Sequence, residues 1–440
     1  MSNRVRKIIS DKIGQIRGMS LRAKSARAAM TLGVGTSVER GLRLVRNMIL
    51  ARILAPDQFG LMAIVMVAVS VFEAFTEVGV KQSVIQNKQG ADPEYLNVAW
   101  WFQAIRGLGL FGIAFFLAPW ISSFYDKPEL LRLLRVSFLA MVFRGLVSPR
   151  MFVLEKEYKF GRAVLLTQGS GIFGTLVAVV LAFMMRNVWA LVAGSVAEFA
   201  FMCVLSYLLV PFKPTLKIHR GYLSELFGFT RGMFGLPILT MVSLKTDALL
   251  LGKLVPAVQL GMYTLAYGLA EQPAWLFHQI IGRILLPAFA EDQDNNQILR
   301  SRVRKIAKAT FVFGVPLVAL AAIWAGPLLS LIYGRRYTTV AMPFRILCVT
   351  MFVRIQAQIL VTIYLAIGKP HLYRRIAAVL AILVVCLMYP GIRLFGLEGA
   401  AGVLLLSNTV ALCMQVIWMR GTIGLRFQNY AFFWRRGTTP

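Results

Sequence analysis

Apolar runs close to twenty residues long recur from one end to the other of this 440-residue chain. A bilayer core takes ~20 helical residues to cross, so each run has the length of a membrane span. Hydrophobic residues make up 58% of the sequence, against about 45–50% in soluble proteins. The polar stretches between runs are too short for a sizeable soluble domain, which argues against a membrane anchor carrying an enzyme. Twelve spans are expected, near 31–55, 58–80, 96–120, 130–150, 163–185, 188–210, 226–251, 258–286, 306–332, 339–367, 373–395 and 397–420. Turn chemistry punctuates them, as at Ala55-Pro56-Asp57, Asp126-Lys127-Pro128 and Gly368-Lys369-Pro370.

The formal charge is +29. In a soluble protein such a surplus suggests nucleic acid, but here the bases sit mainly in short connections, where topology and anionic head groups account for them. With the N-terminus in the cytoplasm, the outer connections carry only Lys127, Arg186, Lys253, Arg335, Arg336 and Arg393. The inner connections and both termini are far richer, which places both ends inside. Residues 1–30 lack the apolar core of a secretory signal; their spaced Val5, Ile8, Ile9, Ile13 and Ile16 suggest a basic helix lying on the membrane surface. Cys203, Cys348, Cys386 and Cys413 fall inside apolar runs without metal-ligand spacing and read as buried free thiols. The scattered His219, His278 and His371 make no zinc site, so no metal and no cofactor are expected.

The chain repeats itself. Leu50-Ala51-Arg52-Ile53-Leu54 with Phe59-Gly60-Leu61 matches Leu251-Gly252-Lys253-Leu254-Val255 with Leu260-Gly261-Met262, every pair offset by 201 residues. A second echo, offset by 210, relates Arg135 and Arg144 to Arg345 and Arg354. Two halves of six spans in the same orientation follow, with substrate expected between them near the midplane. The expected units are a basic interfacial segment (1–30), an N-terminal bundle (31–211), a cytoplasmic linker (212–225), a C-terminal bundle (226–420) and a basic tail (421–440).

Charges inside the spans identify the candidate site, because a charge at a helix centre costs ~2.5–3.5 kcal/mol on insertion scales. Thr36, Arg40, Arg43 and Asn47 recur at helical spacing and form one stripe of the first span. Glu39 can pair with Arg43 one turn away. Arg144 and Arg354 hold equivalent mid-span positions in the two halves, and Arg106, Lys245 and Asp247 are further candidates. Guanidinium forks match phosphate oxygens bidentately, so the functional reading is a polar cavity wall receiving an anionic head. The competing reading has these bases snorkelling or pairing with acids of neighbouring helices. Glu73, Glu77 and Glu271, with Glu198, either titrate in an ion-coupled cycle or neutralise arginines. Close helix packing accounts for the stretch Gly169, Gly171, Gly174.

Glu39-Arg40 upstream of Ile49 to Gly60, Val78-Gly79 with Ile85-Gln86-Asn87-Lys88, and Phe124-Tyr125 before Leu130-Leu131-Arg132 resemble the signatures of bacterial polysaccharide exporters. Asp247 to Gly252, Leu260-Gly261-Met262-Tyr263, Leu286-Pro287-Ala288 and Ala366 to Pro370 continue the resemblance in register over about residues 30–420. It is to the Wzx-type flippases of the polysaccharide transporter branch of the MOP exporter superfamily, nearest the colanic-acid exporter group. Pro256-Ala257-Val258 departs from the Gly-containing turn usual there.

The resemblance implies an all-α, MATE-like integral membrane fold of about twelve transmembrane helices in two pseudo-symmetric six-helix bundles. It implies export of undecaprenyl-diphosphate-linked oligosaccharide across the bacterial inner membrane by alternating access, for lipopolysaccharide or exopolysaccharide synthesis. Proton or sodium coupling is left open, and a polysaccharide polymerase and chain-length regulator are candidate partners. A multidrug exporter on this fold would be expected to have an acidic or aromatic cavity. A polymerase or glycosyltransferase would be expected to present catalytic acids in a substantial outer loop, whereas these loops are short.

Overall fold

The computed structural model describes residues 33, 35–74, 79–157, 160–216, 219–233, 236–280, 285–293 and 295–424. The expected interfacial segment, most of the basic tail and Glu77 lie outside these residues. Among the described residues the chain is helical without strands: α1 (35–53), α2 (Pro56–Ala74), α3 (Val80–Gln86), α4 (Pro93–Phe124), α5 (Leu130–Ser137), α6 (Leu139–Gly145), α7 (Arg150–Lys156), α8 (Phe160–Met185) and α9 (Trp189–Leu209). There follow α10 (Arg220–Met233), α11 (Leu236–Leu254), α12 (Ala257–Ile280), α13 (Leu286–Glu291), α14 (Asn296–Ile323), α15 (Ala325–Ile332), a 3₁₀ turn (Arg335–Val340), α16 (Ala341–Ala366) and α17 (Pro370–Ile423).

Seven helices are long and apolar enough to cross a membrane on their own. One of them, α17, is two spans joined at Gly396, whose φ of 57° is a left-handed conformation that glycine adopts without steric cost. The remaining passes are α1, the broken pair α5–α6, α11 and α12, making about twelve in all. These four are less apolar because they carry Arg40 and Arg43, Arg135 and Arg144, Lys245 and Asp247, and Glu271. The spans with the poorest membrane hydropathy are thus the ones bearing most of the candidate site.

The apolar cores reveal the shape. The end holding the α1–α2 and α11–α12 turns, here the far end, has one core spanning both halves, from Leu54, Phe59 and Leu134 to Tyr263, Phe344 and Ala400. At the near end, where α17 finishes, the cores are separate. Val84, Tyr95 and Leu96 pack with Leu226 of α10, whereas Phe289, Val303, Leu360 and Val416 form a different cluster. The halves are welded at one end and parted at the other.

The weld is built from the repeat. A Cβ placed on Gly60 would collide with the backbone of Ala257, and one on Gly261 with the backbone of Pro56. Both relationships carry the 201-residue offset, so α2 and α12 cross through a reciprocal pair of glycine contacts about the pseudo-twofold axis. Around them Tyr125 donates to the Leu249 carbonyl (3.3 Å), Lys127 to the Gly252 carbonyl (3.3 Å), and Arg52 to the Leu331 carbonyl (2.7 Å). Lys253 pairs with Asp126 at 2.5 Å and holds its carboxyl below the usual carboxylate range. All four cysteines are free thiols, but Cys386 and Cys413 are exposed rather than buried. Apolar solvation by lipid asks nothing more of them than a weakly polar side chain.

Candidate functional site

The polar stripe expected on α1 is present, and its counterpart confirms the helix's orientation. Val38, Leu42, Val45 and Ile49 form an exposed apolar stripe on the side of α1 opposite Arg40, Arg43 and Asn47. A lipid-facing stripe and an inward polar stripe on one span explain how the bases escape the hydrocarbon.

Among the described residues the inward side chains line two hollows, one in each half. The N-half cavity, about 470 Å³, is lined among the described residues by Glu39, Glu73, Glu155 and Glu198 with Arg43, Lys81, Arg106 and Arg144. Its charges are largely paired. Arg43 donates through Nε to Glu39 and through Nη2 to Glu198 Oε1 at 2.6 Å. Arg144 pairs with Glu73 and lies over the Phe199 ring (5.1 Å), and Lys81 pairs with Glu155 at 2.8 Å. Small residues make this possible. A Cβ on Gly171 would stand 3.1 Å from Arg43 Nη2 and 3.2 Å from Glu39 Oε1, and one on Gly174 would overlap the stem of Glu198. Likewise Gly107 of α4 abuts Gly145 of α6, a built Cβ on each standing 3.0 Å from the other's Cα, which brings the neighbouring Arg106 and Arg144 into one cavity.

The C-half cavity, about 430 Å³, lies among α11, α12, α16 and α17. Along α12, Tyr267, Glu271, Trp275 and His278 follow helical spacing and line it together. From α16 come Arg354 and, one turn on, Gln358; from α17 come Tyr373, Asn408 and Gln415. Arg354 donates to the Tyr267 hydroxyl (3.1 Å) and to Met351 Sδ (3.4 Å), and among the described residues it has no carboxylate within ion-pair distance. Arg40 reaches across from α1 to lie 4.6 Å from the centre of the Trp275 ring, and it too has no ion pair among the described residues.

The other expected residues stand apart from both hollows. Asn47 accepts from Arg46 at 3.3 Å. Asp247 is buried and accepts from the Tyr263 hydroxyl at 3.2 Å. Lys245 is half-buried on α11 and lines neither cavity. Among the described residues no group of three His, Cys, Asp or Glu is placed to hold a metal ion. The sequence reading overlooked the carboxamides and aromatics of the C-half cavity. Their helical spacings, Tyr267–Glu271–Trp275, Arg354–Gln358 and Asn408–Gln415, were the signal that could have found them.

A family model described as polysaccharide biosynthesis protein matches residues 49–342. The chain belongs to this family. It is 24% identical over 342 residues to the lipopolysaccharide biosynthesis protein WzxC of Escherichia coli, covering 76% of this chain and 68% of that one. Among solved structures, the lipid II flippase MurJ in an inward-closed conformation superposes with a TM-score of 0.73 at 13% identity, over 93% of this chain and 94% of MurJ. An inward-facing multidrug resistance MATE transporter of the MOP superfamily gives 0.70 at 15% identity, over 88% of this chain and 94% of the transporter. The fold is that of the MOP exporters, as the sequence resemblance implied.

Proposed function

We propose that this protein moves undecaprenyl-diphosphate-linked oligosaccharide from the cytoplasmic to the outer leaflet of the bacterial inner membrane, without catalysing a covalent step. The observation that carries the reading is a pair of half-buried guanidinium groups, Arg40 and Arg354, neither of which is bonded to a carboxylate among the described residues, although Glu271 and Glu39 lie near enough to Arg40 to act on it electrostatically. A half-buried cation with no bonded carboxylate is costly; the substrate offers its diphosphate to Arg40 and sugar oxygens to Arg354. Membership of a polysaccharide biosynthesis family supports the substrate class.

The positive-inside bias makes the near end cytoplasmic. The chain then rests open to the cytoplasm and shut outside by the Gly60–Gly261 clasp. A lipid diphosphate enters from the inner leaflet with its tail still in the bilayer, and its charge is met by guanidinium donors. The halves rock about the midplane and the outer clasp parts. Movement of negative charge outward is favoured by ~2.3 kcal/mol per charge per 100 mV of inside-negative potential. Glu271, which lines the C-half cavity, is the carboxylate we assign to proton or sodium coupling. A leaflet-resolved assay in vesicles tests the reading. Purified protein should render labelled lipid-linked oligosaccharide accessible at the opposite leaflet; no acceleration over protein-free vesicles would refute it.

A further inference from the structure

Arg40 and Arg354 mark the two ends of a groove along α12. From Trp275, under Arg40, to Tyr267, bonded to Arg354, is eight residues, or about 12 Å at ~1.5 Å per residue. Between them the C-half cavity is lined by few formal charges and by many groups that either donate or accept. Its volume of about 430 Å³ falls within the ~300–1,000 Å³ of small-molecule sites.

The most telling group is Gln415. It is 2% exposed, lines the cavity, and its Oε1 is buried with no hydrogen-bond partner. A buried unsatisfied acceptor destabilises the protein that carries it, and a ligand donor reaching it would remove that penalty. Asn408 donates through Nδ2 to the Leu404 carbonyl (2.7 Å), which leaves its Oδ1 as a second acceptor. The Gln358 carboxamide makes no hydrogen bond among the described residues and supplies both donor and acceptor. Trp275 and Tyr373 add aromatic surface.

We infer that this cavity recognises the glycan, with Trp275 and Tyr373 as the aromatic surface beside the sugars and Gln358, Asn408 and Gln415 as hydroxyl readers. The inference rests on the transport reading above and adds to it the place where the sugars are sensed. Two chemical facts favour carbohydrate. Each sugar hydroxyl is donor and acceptor at once, which matches a wall of carboxamides, and the C–H face of a pyranose packs on an indole. Connectivity fixes the order: the first sugar is bonded directly to the diphosphate, so a diphosphate held by Arg40 places that sugar beside Trp275, one face of which Arg40 covers. Later sugars run toward Arg354. The N-half cavity also carries carboxamides, Gln82, Gln103 and Gln168, but Arg43, Lys81 and Arg144 among them are committed to carboxylates, which makes it the poorer fit.

The test uses purified full-length protein and two probes, undecaprenyl diphosphate without sugar and the undecaprenyl-diphosphate oligosaccharide extracted from cells that carry the gene. Wild type should bind the glycosylated lipid more tightly. Gln415→Leu and Asn408→Leu should each lose about tenfold for the glycosylated lipid and retain wild-type affinity for the sugar-free one, which also shows that they are folded. Gln415→Leu should melt no lower than wild type, since it removes an unsatisfied polar group; a merely structural glutamine would instead lower the melting temperature. Arg40→Ala should weaken both probes. Equal affinity of wild type for the two lipids, or equal loss of both in the leucine variants, would overturn the inference and leave the transport reading standing. Wild type that binds neither lipid would overturn the transport reading, and this inference with it.

Discussion

Arg144 and Arg354 occupy matching places in the two halves, yet their surroundings have opposite character. Arg144 is clamped by Glu73 in a cavity whose carboxylates and bases largely neutralise one another. Arg354 touches only a tyrosine hydroxyl and a thioether, in a cavity of carboxamides and aromatic rings. A repeated architecture has therefore kept the position of a cation and changed its task. In one half the charge holds helices together; in the other it remains available to a ligand.

Removing each arginine separates these roles most strongly. Arg354→Ala should cut polysaccharide export about 100-fold, the loss of two charge-assisted hydrogen bonds at ~1.5 kcal/mol each, with the protein still present in the membrane. Arg144→Ala should also fail, but because Glu73 is left without its cation. Arg144→Ala with Glu73→Ala should recover export, and a double variant as inactive as the single one would erase the contrast between the halves.

At the far end the halves should instead behave alike. Gly60→Ala and Gly261→Ala push a methyl group into opposing backbone and should each destabilise the closed clasp by about 2 kcal/mol. Matched increases in labelling of a cysteine placed behind the clasp would show it. A strong effect from one glycine and none from the other would mean the crossing is not reciprocal. Within the N half, Glu198→Ala should lower stability by about 1.5 kcal/mol in thermal unfolding, because Arg43 keeps only Glu39. Gln358→Ala, at an unbonded carboxamide of the C half, should leave the melting temperature unchanged.

The smallest effect concerns the exposed Asp126–Lys253 pair. Its carboxyl titrates below the ordinary range in the folded protein, so its contribution is fully present above the unfolded value and is lost as pH falls through the lowered one. Far-end cysteine labelling should be flat from pH 8 to pH 5 and rise only in stronger acid. Asp126→Asn should remove that acid-dependent rise.

The spans, the parallel repeat and the α1 stripe were legible because each is periodic in sequence, through hydropathy, a constant offset and helical spacing. The Glu39–Arg43 pair was legible for the same reason, being one helical turn apart. Glu198 lies 155 residues from Arg43, and Glu73 lies 71 from Arg144. Periodicity indicates which face of a helix a side chain occupies, but not which helix packs there, so the two readings of the arginines stayed open. Pairing with acids of neighbouring helices holds for Arg43 and Arg144. One helix serves both halves, since α1 gives Arg43 to an ion pair in the N half and Arg40 to an aromatic ring in the C half. The role of the glycines in α8 was partly visible as close packing; that the space admits an ion pair at Gly171 was not.

The most direct measurement is leaflet-resolved transport of labelled lipid-linked oligosaccharide in vesicles containing wild type, Arg354→Ala, or the Arg144→Ala/Glu73→Ala double variant. The expected result is transport by wild type and by the double variant, with transport by Arg354→Ala reduced about 100-fold. Wild-type transport by Arg354→Ala would contradict the assignment of an unneutralised cation to the substrate.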